Sequence, residues 1–295
     1  MTIIVKLTGG LGNQMFQYAA GRRLAYQHNT DLLLDISGFA SYPLRKYELD
    51  IFNIHATIAS LDLLNSIEFL KDKPFQKKIK KFFRKNIIRL VKEQTIDFDD
   101  NILTLPNDVY LDGYWQSEKY FQDIKNIIKN DFLFVTKPSE KNQVITKKIA
   151  ACNSVSIHVR RGDYILNPET KQIHHVCDEK YYKTAISMIF DIINEPEFFL
   201  FSDDLEWAKK NIQVDAPIMF ISHNLGKQSF EDMRLMSYCK NHIIANSSFS
   251  WWGAWLAEND EQCVIAPDRW FNTRICNYCD RIPKHWNVVN YDGCI

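Results

Sequence analysis

The sequence predicts an α/β protein with parallel strands covered by helices. Three observations carry this. From Val155 onward, short β-branched and aromatic runs alternate with helical stretches, the pattern of a parallel sheet covered on both faces. The N-terminus opens with a strand, a glycine-rich turn and a helix. The stretch Val155-Ser156-Ile157-His158-Val159 reads as a buried strand, then changes abruptly to Arg160-Arg161-Gly162-Asp163-Tyr164. In open α/β sheets, ligands bind just outside the carboxyl ends of strands.

In order, Ile3 to Leu7 is the first strand, and Thr8-Gly9-Gly10-Leu11-Gly12-Asn13-Gln14 is the turn. A helix from Met15 to Gln27 follows, from the spacing of Met15, Tyr18, Ala19 and Ala25. The turn fails the dinucleotide fingerprint, because Met15 stands where its last small residue belongs, and no phosphate-loop lysine follows. It has two readings: a place where backbone amides, Asn13 and Gln14 approach a ligand, or a tight turn needing glycine for positive φ. Thr30 to Asp35 is a second strand. Lys71 to Lys92 is strongly basic, with Ile79, Phe82, Phe83, Ile87 and Leu90 near one helical face. That pattern fits a solvated surface helix, and it also fits a helix resting on an anionic membrane. Tyr110-Leu111 reads as a strand end, and Ser117 as the cap of a helix running to about Asn130. Between them, Tyr114-Trp115-Gln116 is suited either to stacking on a sugar or to the core. A polar helix from Pro138 to Ala151 leads into the Val155 strand, which puts the domain boundary between 150 and 151.

The Arg160-Arg161 pair suits phosphate, since guanidinium forks meet phosphate oxygens with parallel hydrogen bonds. Asp163 adds a carboxylate that either takes a proton or orients the arginines. A loop with Pro168, His174 and His175 precedes a helix from Lys180 to Ile193. Phe198 to Phe201 is a strand ending at Asp203 and Asp204, which suit either the N1–H and amino group of guanine or a helix N-cap. Pro217 to Ile221 and His242 to Asn246 are further strands, with a helix from Phe230 to Cys239 between them. Ser247, Ser248 and Ser250 open the last helix, where hydroxyls and free amides suit an anion.

Composition narrows the function. Lysine plus arginine equals aspartate plus glutamate, 36 each in 295 residues, so no global field draws the chain to nucleic acid. Met1 to Leu7 lacks the features of a signal peptide, and no run reaches the ~18 apolar residues of a membrane span. The seven scattered cysteines read as reduced thiols of a cytoplasmic protein. Cys276 and Cys279 form the only close pair, without the second pair that a structural zinc needs.

Three stretches, Gly9 to Tyr18, His158 to Tyr164 and Asn246 to Gly253, together resemble the family 11 glycosyltransferases, the α-1,2-fucosyltransferases. Gly113-Tyr114-Trp115-Gln116-Ser117 fits as well. The resemblance spans nearly the whole chain. It implies a GT-B fold of two Rossmann-like domains facing across a cleft, residues 1–150 on the acceptor side and 151–295 binding GDP-fucose. It implies inverting transfer of fucose to O2 of a galactose, with no metal and no cofactor beyond the donor. Arg160, with Arg161 beside it, is expected to grip the diphosphate, and His158 of the same motif joins the donor-binding residues. Asp203 or Asp204 is expected at guanine, and Ser247, Ser248 and Ser250 at phosphate. Arg160, Asp163 and Asn13 are the catalytic candidates, and Gln14, Tyr114, Trp115 and Gln116 the acceptor-side ones. The lack of a membrane anchor makes it similar to bacterial cytoplasmic members acting on surface-polysaccharide (O-antigen) precursors. A lipid-linked acceptor would give the basic segment a role in peripheral membrane contact.

Three rival readings remain at this point. Asp97-Phe98-Asp99 matches the Asp-x-Asp of metal-dependent transferases, although no apolar strand precedes it. Arg161-Gly162-Asp163 matches an adhesion tripeptide, which would need an exposed loop on a secreted chain. A carbohydrate-binding module without catalysis is the third.

Overall fold

The computed structural model describes residues 2–41, 45–65, 88–272 and 280–290. The chain divides into two compact units, Met1–Val135 and Thr136–Ile295. The observed division falls one helix before the 150/151 boundary. The helix Glu140–Ala151 belongs to the second unit because Asn142, Ile145 and Ile149 are buried there, against the helix Phe230–Tyr238.

Among the described residues, the first unit holds five strands: β1 (Thr2–Lys6), β2 (Asp31–Asp35), β3 (Thr57–Ile58), β4 (Arg89–Lys92) and β5 (Val109–Asp112). They form one parallel sheet in the order β3-β2-β1-β5-β4. Ile3, Ile4 and Val5 are fully buried, as expected of a central parallel strand covered on both faces. The helix Leu11–His28 starts four residues before the expected Met15. Gly10 is its N-cap, and the N–H groups of Asn13 and Gln14 already donate to the Gly10 carbonyl. Burial of Leu11 and Gly12 outweighs the weak helix propensity of glycine. Asn29, at φ 47°, ends the helix in the left-handed conformation. Of the basic stretch Lys71 to Lys92, residues 71–87 lie outside the described residues. Its last four residues are strand β4, so Leu90 pairs with Tyr110 in the sheet and is not on a helical face.

Among the described residues, the second unit has six parallel strands: β6 (Asn153–Val159), β7 (Pro196–Ser202), β8 (Ile218–Ile221), β9 (Asn241–Ile243), β10 (Val264–Pro267) and β11 (Asn287–Val289). Their order is β11-β10-β9-β6-β7-β8. From β8 this reads third, second, first, fourth, fifth, sixth, the doubly wound order of Rossmann-like folds. The order reverses between β6 and β9, so the switch-point crevice opens at the carboxyl end of β6. The helix Ser248–Trp255 is apolar all round and accordingly buried, with Trp251 stacked on Trp255 at 6.0 Å and tilted against Trp286 at 5.5 Å. Among the described residues, no helix is long and apolar enough to cross a membrane.

Gly21 marks a close approach of helix Leu11–His28 to its sheet. A Cβ there would lie 2.2 Å from Cγ2 of Val5 and 2.9 Å from Cδ1 of Leu32. Gly21→Ala is therefore expected to destabilise the protein by about 1–3 kcal/mol despite the better helix propensity of alanine. Urea denaturation checks this, and an unchanged midpoint would refute the packing argument.

Candidate functional site

At the carboxyl end of β6 the side chains lock into an ion-pair cluster. The register pairs Val159 with Ser202, so Arg160 and Asp203 leave neighbouring strand ends together. Asp203 uses both oxygens: Oδ1 accepts the Arg161 backbone N–H at 2.8 Å, and Oδ2 meets Nη1 of Arg160 at 2.8 Å. Asp163, in the short helix Gly162–Leu166, meets Nη2 of Arg160 at 2.5 Å. Burial alone would lower the Arg160 guanidinium, but Asp203 and Asp163 together hold it above its ordinary value. Arg161 donates from Nε to Asp204 at 3.3 Å and lies over the Trp207 ring at 4.0 Å. Gly162 makes the close approach possible, since a Cβ there would sit 2.7 Å from Oδ2 of Asp203.

Three carboxylates thus face two guanidiniums. The cluster cannot attract an anion by net charge alone. What it offers is direction: a guanidinium has five N–H donors, and the carboxylates fix which way the remaining ones point.

His158 lies just behind the clamp, with its ring buried and 5.8 Å from that of Phe249. Its Nδ1 has no hydrogen-bond partner among the described residues. Burial pushes the imidazole down to about 4, with Asp203 opposing and Arg160 adding to the shift, so it is neutral near pH 7. Tyr164 lies under Arg160 at 5.4 Å, stacks on His174 at 4.5 Å and donates its hydroxyl to the carbonyl of Asn246. Asn246 is buried and donates to the carbonyls of His175 and Trp270, tying the loops after β9 and β10 to the site.

The serine turn has a divided role. Ser247 caps the helix Ser248–Trp255 by accepting from the Phe249 N–H. Ser250 is 1% exposed and donates back to the carbonyls of Ala245 and Ser247, so its hydroxyl is structural, contrary to the expected phosphate contact. Ser248 is partly exposed at the helix start, where backbone amides accompany it. Asp204 is the N-cap of helix Leu205–Asn211, accepting from the Trp207 N–H. Both aspartates expected at guanine are thus engaged with the arginines and with this cap.

A second polar cluster stands beyond β8 and was not legible in the sequence. Buried Asn142 donates to Asn224 and Glu231 and is met by Nε2 of His223 at 2.7 Å. Asn224 in turn donates to Asp232 at 2.8 Å. Burial pushes Asp232 up to about 7, with the Asn224 hydrogen bond opposing and Glu231 reinforcing. An acid in the first turn of a helix reads from sequence as an ordinary dipole partner, and only the buried loop above it changes that.

In the first unit, the switch point between β1 and β5 gathers the other predicted residues. Gly9 holds φ 77°, and a Cβ there would strike the Asn13 side chain at 2.5 Å. Oδ1 of Asn13 accepts from Nε2 of Gln116 at 2.8 Å. Gln14 is fully buried, bonded to Gly9, Lys46 and Glu48, so it pins the turn and is not a contact surface. Trp115 is 1% exposed and edge-on to Tyr120, which corrects its expected acceptor-side place, while Tyr114 is 44% exposed. Asp99, half of the Asp-x-Asp rival, caps the turn Asp100–Thr104 through the N–H of Asn101. No group of three or more His, Cys, Asp or Glu suited to a metal occurs among the described residues; Cys276 and Cys279 lie outside them.

Comparison with known proteins adds four findings. The family described as Glycosyl transferase family 11 matches residues 2–290. The Alpha-1,2-colitosyltransferase of Escherichia coli is 36% identical over 290 residues, covering 96% of this chain and 97% of that protein. The O-antigen biosynthesis glycosyltransferase WbnK of Escherichia coli is 32% identical over 293 residues, covering 90% and 93%. Among solved structures, that of an Arabidopsis thaliana FUT1 mutant in complex with GDP aligns with a TM-score of 0.55 at 11% identity, covering 89% of this chain and 69% of that one.

The Asp232 cluster generates a stability prediction. Its folded-state carboxyl titrates above an unfolded aspartate, so its contribution is full below about pH 4 and is lost as pH rises through about 7. Glu231, also raised by burial although Arg234 and the Asn142 hydrogen bond oppose the shift, acts in the same direction. Asp232→Asn is expected to reduce the fall in urea midpoint between pH 5 and pH 8 without abolishing it. An identical fall in the variant would refute the assignment.

Proposed function

The chain belongs to glycosyl transferase family 11, and from that premise we propose that it transfers L-fucose from GDP-fucose to O2 of a galactose, forming an α-1,2 linkage on an O-antigen precursor. The observation that carries this reading is the Arg160–Arg161 pair at the switch point of a doubly wound sheet, aimed by three carboxylates. The second unit binds the donor and the first unit the acceptor. As the glycosidic bond to the diphosphate breaks, negative charge grows on the leaving oxygen. Arg160 neutralises it through donors already held in place, assisted by the amides at the start of helix Ser248–Trp255. Asp163 orients Arg160 through its 2.5 Å ion pair with Nη2 of that guanidinium.

A second donor is favoured by the 36% identity to a colitosyltransferase. Colitose is L-fucose lacking the 3-hydroxyl, so the diphosphate clamp serves both. A site that hydrogen-bonds the missing hydroxyl discriminates by roughly 10⁴-fold, whereas an apolar one discriminates weakly. Incubation with GDP-fucose and with GDP-colitose over a panel of galactosides, followed by linkage analysis, is expected to give α-1,2 products from at least one donor. Absence of any glycoside product would overturn the reading. Turnover is expected to persist in excess chelator, and a requirement for Mn²⁺ or Mg²⁺ would revive the rival at Asp97 and Asp99.

Arg160→Lys keeps the charge and loses the fork, so turnover is expected to fall roughly 10²-fold or more. Asp163→Asn is expected to weaken GDP binding along with turnover. Collapsed turnover with intact GDP affinity would instead mark Asp163 as the proton acceptor.

A further inference from the structure

The turn after β5 is held more firmly than chain reversal requires. The β4–β5 register pairs Lys92 with Asp112, which sets Glu93 beside Gly113. Glu93 then accepts two successive backbone N–H groups, from Tyr114 at 2.6 Å to Oε2 and from Trp115 at 2.9 Å to Oε1. Trp115 stands at φ 55°, a left-handed conformation that a bulky residue keeps only when its surroundings enforce it. Its buried indole anchors the turn from beneath. Gly113 admits the carboxylate's stem, because a Cβ there would lie 2.4 Å from Cβ of Glu93. The Gly113 carbonyl accepts from Gln17, and Gln116 donates to Asn13. Within this framework the Tyr114 ring remains 44% exposed at the sheet's switch point.

An aromatic face beside side-chain amides matches the chemistry of a pyranose, whose C–H face packs on a ring while its hydroxyls bond amides. We propose that Glu93 is a positioning residue for the acceptor: it holds the Gly113–Gln116 turn so that Tyr114 stacks on the acceptor sugar beside the Gln116–Asn13 pair. This rests on the reading of the first unit as the acceptor side. Glu93 never touches the sugar. Its carboxylate matters because it accepts from both N–H groups at once; an amide has only one acceptor oxygen, and its NH₂ would face the second N–H.

The test measures acceptor KM and kcat with p-nitrophenyl β-galactoside, using whichever GDP-sugar the wild type turns over, together with the GDP dissociation constant. Glu93→Gln and Tyr114→Ala are each expected to raise acceptor KM about tenfold or more, leaving GDP affinity within roughly twofold. Tyr114→Phe, which keeps the ring face, is expected to recover most of the acceptor KM lost in Tyr114→Ala. The double variant is expected to lose no more than Tyr114→Ala alone, because Glu93 acts through Tyr114. An unchanged KM in Tyr114→Ala, or losses that multiply in the double variant, would overturn the proposal while transfer itself continues. If Glu93→Gln does not fold, the Tyr114 pair still decides, since that ring is exposed. Failure of the wild type to glycosylate any galactoside is a different result: it removes the functional reading, and this proposal with it.

Discussion

The second unit depends on one carboxylate. Asp203 spans the ends of β6 and β7, holding a backbone N–H with one oxygen and a guanidinium with the other. It fixes the chain direction after β6 and the side chain that leaves there. Without it, Arg160 would keep its pair with Asp163 and its place over the Tyr164 ring, but the turn into Gly162–Leu166 would lose its anchor. A partly buried guanidinium such as that of Arg160 is stabilised when carboxylates meet it with good geometry. The sheet register supplies that geometry before any ligand arrives.

That arrangement explains an apparent paradox. The proposed diphosphate site has more carboxylates than guanidiniums within it. Free arginines at a strand end would attract anions strongly but in many poses. Arginines tied to aspartates attract them less and hold their remaining donors in one pose. For a reaction in which charge develops on a departing group, fixed direction is the useful property, because no reorganisation is needed as the charge appears. Arg161 follows the same logic by another route, its plane set by Trp207 and its Nε by Asp204.

Much of this was legible in the sequence. Abrupt changes from apolar to charged residues at Val159 and Phe201 located the strand ends, and parallel β-αlternation followed from the spacing of the runs. What escaped reading has physical causes. The strands β9, β10 and β11 are three or four residues long, too short for periodicity to register in full, and the last two were not anticipated. Strand β4 closes a basic run whose composition masked it. The sequence left Tyr114 and Trp115 suited alike to a sugar or to the core, and the positive φ at Trp115 turns that ring inward while Tyr114 stays outside. Ser250 looked equivalent to Ser247 and Ser248, but one helical turn carries its hydroxyl back onto the Ala245 carbonyl.

The two units, described separately, use one device. In each, the strand beside a candidate site turn is followed by a carboxylate: Glu93 after β4, Asp203 after β7. In each, that carboxylate accepts backbone N–H groups of the turn that follows the neighbouring strand. In each, a glycine in the turn gives the carboxylate room, with a missing Cβ 2.4 Å from Glu93 and 2.7 Å from Asp203. The parallel ladder makes this possible, because adjacent strands end at the same edge and their next residues meet side by side. A carboxylate suits the role better than an amide, since it accepts on both oxygens and asks for no acceptor in return. The difference lies in what is presented. In the second unit the held turn aims a guanidinium, whose value is charge. In the first it presents an aromatic ring and an amide, whose value is shape and hydrogen bonding.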